Sequence, residues 1–168
     1  MDNSLIELSL ADKKKIIAVL IDFLEGKLRE IQRSAEAAHG GATHEDAVAK
    51  SKYDTHGLEL SYLAGAQLER AKLLESEIRS LHESPCKIFG DDDVIQHGSL
   101  INLVPERSTA PQKTFLISPY GAGEQISYRN LSITVLSPHS PLGEEVIDQY
   151  LGDTIPLGSS EQLINGHI

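Results

Sequence analysis

Seam positions recur along the first half of the chain in alternating steps of four and three. Ile17, Ile21, Leu24, Leu28, Ile31, Ala35 and Ala38 form one series. Tyr53, Gly57, Leu60, Ala64, Gln67, Ala71, Leu74, Ile78 and Leu81 form a second. Such spacing lays one stripe along a helix that packs lengthwise on another helix. The polar break His39–Asp46 leaves room only for a turn back, so the pattern predicts an antiparallel helical hairpin. At about 1.5 Å per residue the second run extends roughly 55 Å. A small globular domain does not require that reach, and the run reads as an arm that carries its tip elsewhere.

Local signals set the expected ends. Ser9 with Asp12 has N-cap spacing, and Ser4 with Glu7 offers a competing start. Helix one is expected to run to about Ala38 and close at Gly40-Gly41, where a missing Cβ permits the left-handed turn. Thr43 with Asp46 repeats the cap spacing and starts helix two within a turn of Thr43. That helix stops near Leu81, ahead of Ser84-Pro85, because proline disfavours a helical predecessor. A second stripe, Leu58, Tyr62, Leu63, Leu68 and Leu73, lies off the seam. Part of it is expected to pack on the rest of the protein.

From Pro85 the period shortens. Strands are expected over 99–104, 113–117, 124–128, 132–136, 154–157 and 162–168, with Pro and Gly signals between them. Ser140-Pro141-Leu142-Gly143 leads into one short helix over Glu144–Leu151, with Pro141 suited to a first turn. The fold class is α+β: a helical hairpin over 1–84, then an antiparallel sheet carrying one short helix over 85–168.

Composition narrows the function. The 168 residues carry a formal charge of −10, which excludes a general nucleic-acid coat and suits a partner with a basic surface. Residues 13–33 hold six bases against three acids, whereas 85–168 hold four bases against ten acids. Cys86 is the single cysteine, so no disulfide framework exists and a reducing compartment is expected. With no apolar run long enough for a signal or a membrane span, the reading is a cytoplasmic monomer with no membrane partner.

Two stretches carry a family resemblance. Tyr53-Asp54 followed by Tyr62-Leu63-Ala64-Gly65 resembles the Glu-Tyr-(Asp/His) and Phe-Leu-Glu-Gly landmarks of the bacterial Gre transcript-cleavage factors, at the same spacing. Ser137-Pro138-His139-Ser140-Pro141-Leu142-Gly143, then Leu151-Gly152-Asp153, is similar to that family's Ser-Pro-Leu-Gly turn and later Val-Gly-Asp. The resemblance covers nearly the whole chain. It implies an FKBP-like C-terminal domain that docks at the rim of the secondary channel of bacterial RNA polymerase, with the hairpin inserted through the channel. It also implies tip acids presented to the polymerase's own catalytic centre. There an extra carboxylate helps hold Mg²⁺ and orient a water for attack on backtracked RNA. The chain would have no cofactor of its own, sharing only that Mg²⁺, and would be an accessory factor rather than an enzyme.

The match departs from the family at the tip. Counting back from Tyr53, the family's Asp falls on Asp46, but its Glu falls on Ala49, leaving Glu45 as the other tip acid. Asp46 and Glu45 are thus the candidate catalytic and metal-binding pair; capping helix two at its positive end is their structural alternative. Lys27, Arg29 and Arg33, with His44, Lys50 and Lys52, are candidates to contact the nascent RNA 3′ end or the channel wall. A solvated helix face is the plainer account of such charges. His139, Ser140, Pro141, Leu142 and Gly143 are the candidate docking turn, with His139 where the family has an acid. His39, His44 and His56 match no tetrahedral metal pattern. Three functions remain: stimulating cleavage, occupying the channel without cleavage, and prolyl isomerisation by the C-terminal module. The last lacks the aromatic residues a lined pocket needs.

Overall fold

The computed structural model describes residues 8–43, 56–105, 111–158 and 160–168. The elements in order are α1 (Leu10–Thr43), α2 (His56–Glu83), β1 (Leu100–Pro105), β2 (Lys113–Ile117), β3 (Gln125–Tyr128), β4 (Leu131–Leu136), α3 (Pro141–Val146), β5 (Thr154–Leu157) and β6 (Ser160–His167). They form two compact units, one of Ile21–His82 and one of Met1–Leu20 with Glu83–Ile168. The first turns of α1 therefore belong with the C-terminal residues, which differs from a single division at 84/85.

In the first unit the helices run antiparallel. Gln32 Nε2 donates to Glu75 Oε1 at 3.2 Å. Further along α1, Ala35, Glu36 and His39 share a groove with Leu68 of α2, so rising numbers on one helix meet falling numbers on the other. Ile21, Leu24, Ala35 and Ala38 are buried on α1, and Ala64, Ala71, Ile78 and Leu81 on α2. These are the positions of the predicted seams. Helix one does not close at Gly40-Gly41 but continues to Thr43. Two glycines cost a helix about 1 kcal/mol each relative to alanine, which permits a stop without compelling one. The start of helix two predicted near Thr43 lies outside the described residues. The second stripe is not packed: Leu58, Tyr62, Leu63, Leu68 and Leu73 are all exposed.

The second unit is built on a six-stranded sheet in the order β3-β4-β2-β1-β6-β5. The pairs are antiparallel, as expected, except β2 with β4, which is parallel. After β2 the chain passes to the far edge, forms β3, and turns back as β4 between β3 and β2. That return sets β4 alongside β2 in the same direction. One face gathers Ile101, Leu103, Phe115, Ile117, Leu136, Ile155 and Ile164, closed by Val146 of α3 and by Ile95. The opposite face is buried too, at Leu100, Leu116, Ile133 and Val135. Burial on both sides explains why β1 and β2 read as near-continuous apolar runs.

The first turns of α1 are fastened to this unit at two points. Ser9 and Asp12 form the predicted cap: the Ser9 N–H and hydroxyl donate to Asp12 Oδ2 at 3.0 and 2.7 Å, and the Asp12 N–H donates to Ser9 Oγ. Asp12 Oδ1 also accepts from the Tyr128 hydroxyl (2.7 Å) and Arg129 (2.6 Å) at the β3–β4 turn. The Ser9 donors, then Tyr128 and Arg129, hold the Asp12 carboxyl far below the ordinary carboxylate range. Its contribution to stability is therefore complete above about pH 3.8 and lost as pH falls below that. Asp12→Asn is expected to melt at lower temperature than the parent at pH 7 and to shed less stability between pH 4 and 2, measured by thermal unfolding across that range; equal slopes would refute the clasp.

The second fastening is Lys13, only 1% exposed. Its ammonium donates to the carbonyls of Lys87 and Ile168 and sits 4.4 Å from the centre of the Phe89 ring. His167 stacks on Phe89 at 5.4 Å, and its Nε2 bonds the Ser99 hydroxyl at 2.9 Å.

The short helix differs from expectation in extent. It begins at Pro141 and ends at Val146, and Ile147 is extended. The reason is tertiary: the Ile95 N–H donates to the Gln149 carbonyl and the Asp148 N–H donates to the Ile95 carbonyl. These bonds draw 147–149 into a bridge that no continued helix makes.

Candidate partner-docking site

The Ser137–Gly143 turn is built by its own side chains. The Ser140 hydroxyl donates to the Ser137 carbonyl at 2.7 Å and accepts from the Gly143 N–H at 3.1 Å. Ser140 is thereby the N-cap of α3, Pro141 supplies a preset first-turn φ, and the Ser140 carbonyl accepts from the Glu144 N–H. The His139 N–H donates to Ser137 Oγ at 3.2 Å, and the His139 side chain is exposed. Gly143 is required sterically: a Cβ there would lie 1.9 Å from the Ser137 carbonyl oxygen and 2.9 Å from two Pro138 backbone atoms. Leu142 packs against the core from partial exposure, while Pro141 stays exposed.

The later Leu151-Gly152-Asp153 turn is fixed in the same manner. Gly152 has φ +94°, a left-handed conformation open to glycine. The Asp153 carboxylate accepts from the Tyr150 N–H at 2.8 Å, and Gly152 N–H and Asp153 carbonyl both bond Ile164 of β6. Asp153 is thus a turn-forming residue. Around α3 the exposed side chains are His139, Pro141, Glu144, Glu145, Asp148 and Tyr150, an acidic rim with apolar points. Such a surface suits a basic partner. Glu144, Glu145 and Asp148 carry no site motif in the sequence, and Tyr150, which fits the apolar period of that stretch, is exposed. For Glu144 and Glu145 the signal is the helix period, which turns Val146 to the core and both acids to solvent; Asp148 and Tyr150 lie beyond the helix end, where the bonds to Ile95 set the backbone.

On α1 the predicted basic stripe separates. Arg29 and Arg33 lie one turn apart on an exposed face, and Arg29 pairs with Glu25 at 3.7 Å. Lys27 lies nearly opposite by helical rotation and places its ammonium 5.6 Å from the centre of the Phe23 ring. Steps of two and six residues cannot share one helix face, so Lys27 does not join the arginines. Asp46, Glu45, His44, Lys50, Lys52 and Ala49 lie outside the described residues. Among the described residues, no group of three or more His, Cys, Asp and Glu side chains is placed to hold a metal ion. No described helix is long and apolar enough to cross a membrane.

No family model matches the chain, and comparison with curated proteins gives no match. Among solved structures, GreA factor homolog 1 (Gfh1) of Thermus thermophilus is similar at 19% identity and a TM-score of 0.35, over 88% of this chain and 94% of that one. Thermus aquaticus Gfh1 is similar at 20% identity and a TM-score of 0.34, over 88% and 90% of the two chains. A third structure, described as the transcription factor Gfh1, is 16% identical with a TM-score of 0.34, over 89% and 93%. Likeness of this size does not assign the chain to a family.

Proposed function

We propose that this chain is a Gre-like accessory factor of bacterial RNA polymerase, acting in the cytoplasm as a single copy. The observation that carries this reading is the Ser137–Gly143 turn. It is held by the Ser140 cap and closed to any residue but glycine at 143, and the Gly152-Asp153 turn follows in the order of the family motif. The same chain holds two long antiparallel helices, the other half of the family's layout.

In this reading the His139–Gly143 turn and its acidic rim dock on a basic surface at the channel entrance, and the hairpin carries Glu45 and Asp46 to the polymerase's catalytic centre. Mg²⁺ held there supplies Lewis-acid stabilisation and an activated water for hydrolysis of backtracked RNA. Asp46 and Glu45 contribute carboxylate oxygens, and His44, Lys50 and Lys52 stand beside the RNA 3′ end. Arg29 and Arg33 face the RNA or the channel wall from one side of α1. Lys27 does so from the other. A second reading, occupation of the channel without cleavage, is favoured by one observation: Ala49 stands where the family has its second acid.

One assay separates them: backtracked polymerase, Mg²⁺ and this protein, with shortened transcripts read on a gel. Asp46→Asn is expected to abolish stimulated cleavage while leaving polymerase binding nearly intact, and Ala49→Glu to raise cleavage. Cleavage by Asp46→Asn at the parent's rate reduces the acid to a helix cap. Binding with no cleavage by the parent selects the second reading.

A further inference from the structure

Two basic side chains share one phenyl ring where α1, the segment after α2 and the end of β6 meet. The Lys13 ammonium lies 4.4 Å from the centre of the Phe89 ring, and His167 stacks on the same ring at 5.4 Å with the planes 14° apart. Both are buried, Lys13 at 1% and His167 at 4% of full exposure. Lys13 ties three stretches of chain together, because from α1 it donates to the carbonyls of Lys87 and Ile168.

The hydrogen bonds suit His167 as a neutral ring. Ser99 Oγ accepts from the Gln96 N–H at 3.1 Å and bonds His167 Nε2 at 2.9 Å. His167 Nδ1 is buried with no partner among the described residues. A neutral imidazole has one N–H and one bare nitrogen, whereas an imidazolium has two N–H donors. Charging His167 therefore leaves a buried cationic donor without an acceptor, on a ring that already faces an ammonium. Neighbouring charges do not offset this. Asp91 and Asp93 favour the charged ring, but both are exposed, and Asp93 Oδ2 already accepts from the Gly90 N–H at 2.7 Å. Burial and then Lys13 outweigh them.

We propose that Lys13, Phe89 and His167 form a proton-operated latch: a proton on His167 expels the Lys13 ammonium and frees the segment around Lys87 from the end of β6. Lys13 is the group that leaves, because its stem is flexible and His167 is held in β6 by pairing with Ile101. The Ile168 carbonyl keeps the Leu100 N–H, and the Lys87 carbonyl turns to water. Asp12 keeps Ser9, Tyr128 and Arg129, so the first turn of α1 stays seated at the β3–β4 turn. The segment released is the one that joins α2 to the sheet.

Cys86 precedes Lys87, is half-buried and acts electrostatically on Lys13, so its thiol reports the opening. The full chain is labelled with a pyridyl disulfide between about pH 8 and about pH 5, the span over which a histidine changes charge. Each rate is divided by that of the urea-unfolded chain at the same pH, which removes the thiol's own ionisation. The relative rate is expected to rise several-fold in acid, because a lowered imidazole favours the open form as pH falls below 6.5. His167→Gln, which takes no charge and can still bond Ser99, is expected to lose that rise. His97→Gln is expected to keep it, although burial lowers His97 too. In the parent, the His167 ring proton followed by NMR is expected to titrate with the midpoint of the labelling. Low urea is expected to leave labelling unchanged, since the latch exposes little surface. A parent with no rise in acid overturns the latch. So does a rise that survives His167→Gln, that is lost in His97→Gln, that departs from the ring titration, or that climbs with urea as global unfolding does.

Discussion

Gly143→Ala is expected to lower the melting temperature of the full chain by about 10 °C or more, reflecting a loss of about 3 kcal/mol. The added methyl would be 1.9 Å from the Ser137 carbonyl oxygen, and both Pro138 atoms near it are backbone. None of these obstacles is the movable end of a side chain. The Ser137 carbonyl is itself pinned, accepting from the Ser140 N–H at 3.1 Å and from the Ser140 hydroxyl at 2.7 Å. Relief therefore means opening the cap, and the cap orients Val146 into the core. Thermal unfolding followed by circular dichroism measures the effect, and a melt within about 2 °C of the parent would show that the turn relaxes freely. Under the proposed function the same variant also loses polymerase affinity, since the turn is the docking element.

Lys13→Met is expected to remove a rise in stability that the parent shows from pH 8 to 10. Burial pushes the Lys13 ammonium down to about 8, against 10.5 for a free lysine, with Cys86 opposing in part. The unfolded chain thus binds more protons than the folded chain between those values, and stability climbs with pH by about 3 kcal/mol when the window is complete. The ring of Phe89 and the carbonyls of Lys87 and Ile168 compensate the buried charge incompletely. Ile168 also accepts from the Leu100 N–H at 2.9 Å, so methionine does not orphan that carbonyl. Urea unfolding of parent and variant at half-unit steps of pH checks this; parallel profiles would refute it. Nearby His167 acts in the same direction at lower pH. Burial first, and then Lys13, lowers its imidazole from 6.5, so stability falls as pH drops through that value.

Much of the fold was legible because periodicity is a local property. The seam residues Ile21, Leu24, Ala35, Ala38, Ala64, Ala71, Ile78 and Leu81 are buried where alternating steps of four and three placed them. Strands β2 and β5 match their expected spans, and the Ser9–Asp12 cap forms as its spacing predicts. What failed depended on distant partners. Ile16 and Leu20, rather than Ile17, are fully buried in the first turns of α1, because there the helix belongs to the sheet-bearing unit. Lys13 is one of three consecutive lysines with no local mark of burial, and it is buried because its two carbonyl acceptors, 74 and 155 residues away, meet it there.

The candidate site divides along the same line. By itself the sequence determined the two helical seams, the turn chemistry of Ser140-Pro141-Leu142-Gly143 and the glycine at 152, because caps, preset φ and left-handed turns act within a few residues. Only the tertiary structure decided that β4 returns beside β2 in parallel and that α3 stops where Ile95 claims 148 and 149. It also decided that Leu58, Tyr62 and Leu73 stand in solvent. Each of those outcomes rests on which distant backbone or side chain arrives to accept a hydrogen bond or exclude water, and no spacing along one chain encodes that arrival.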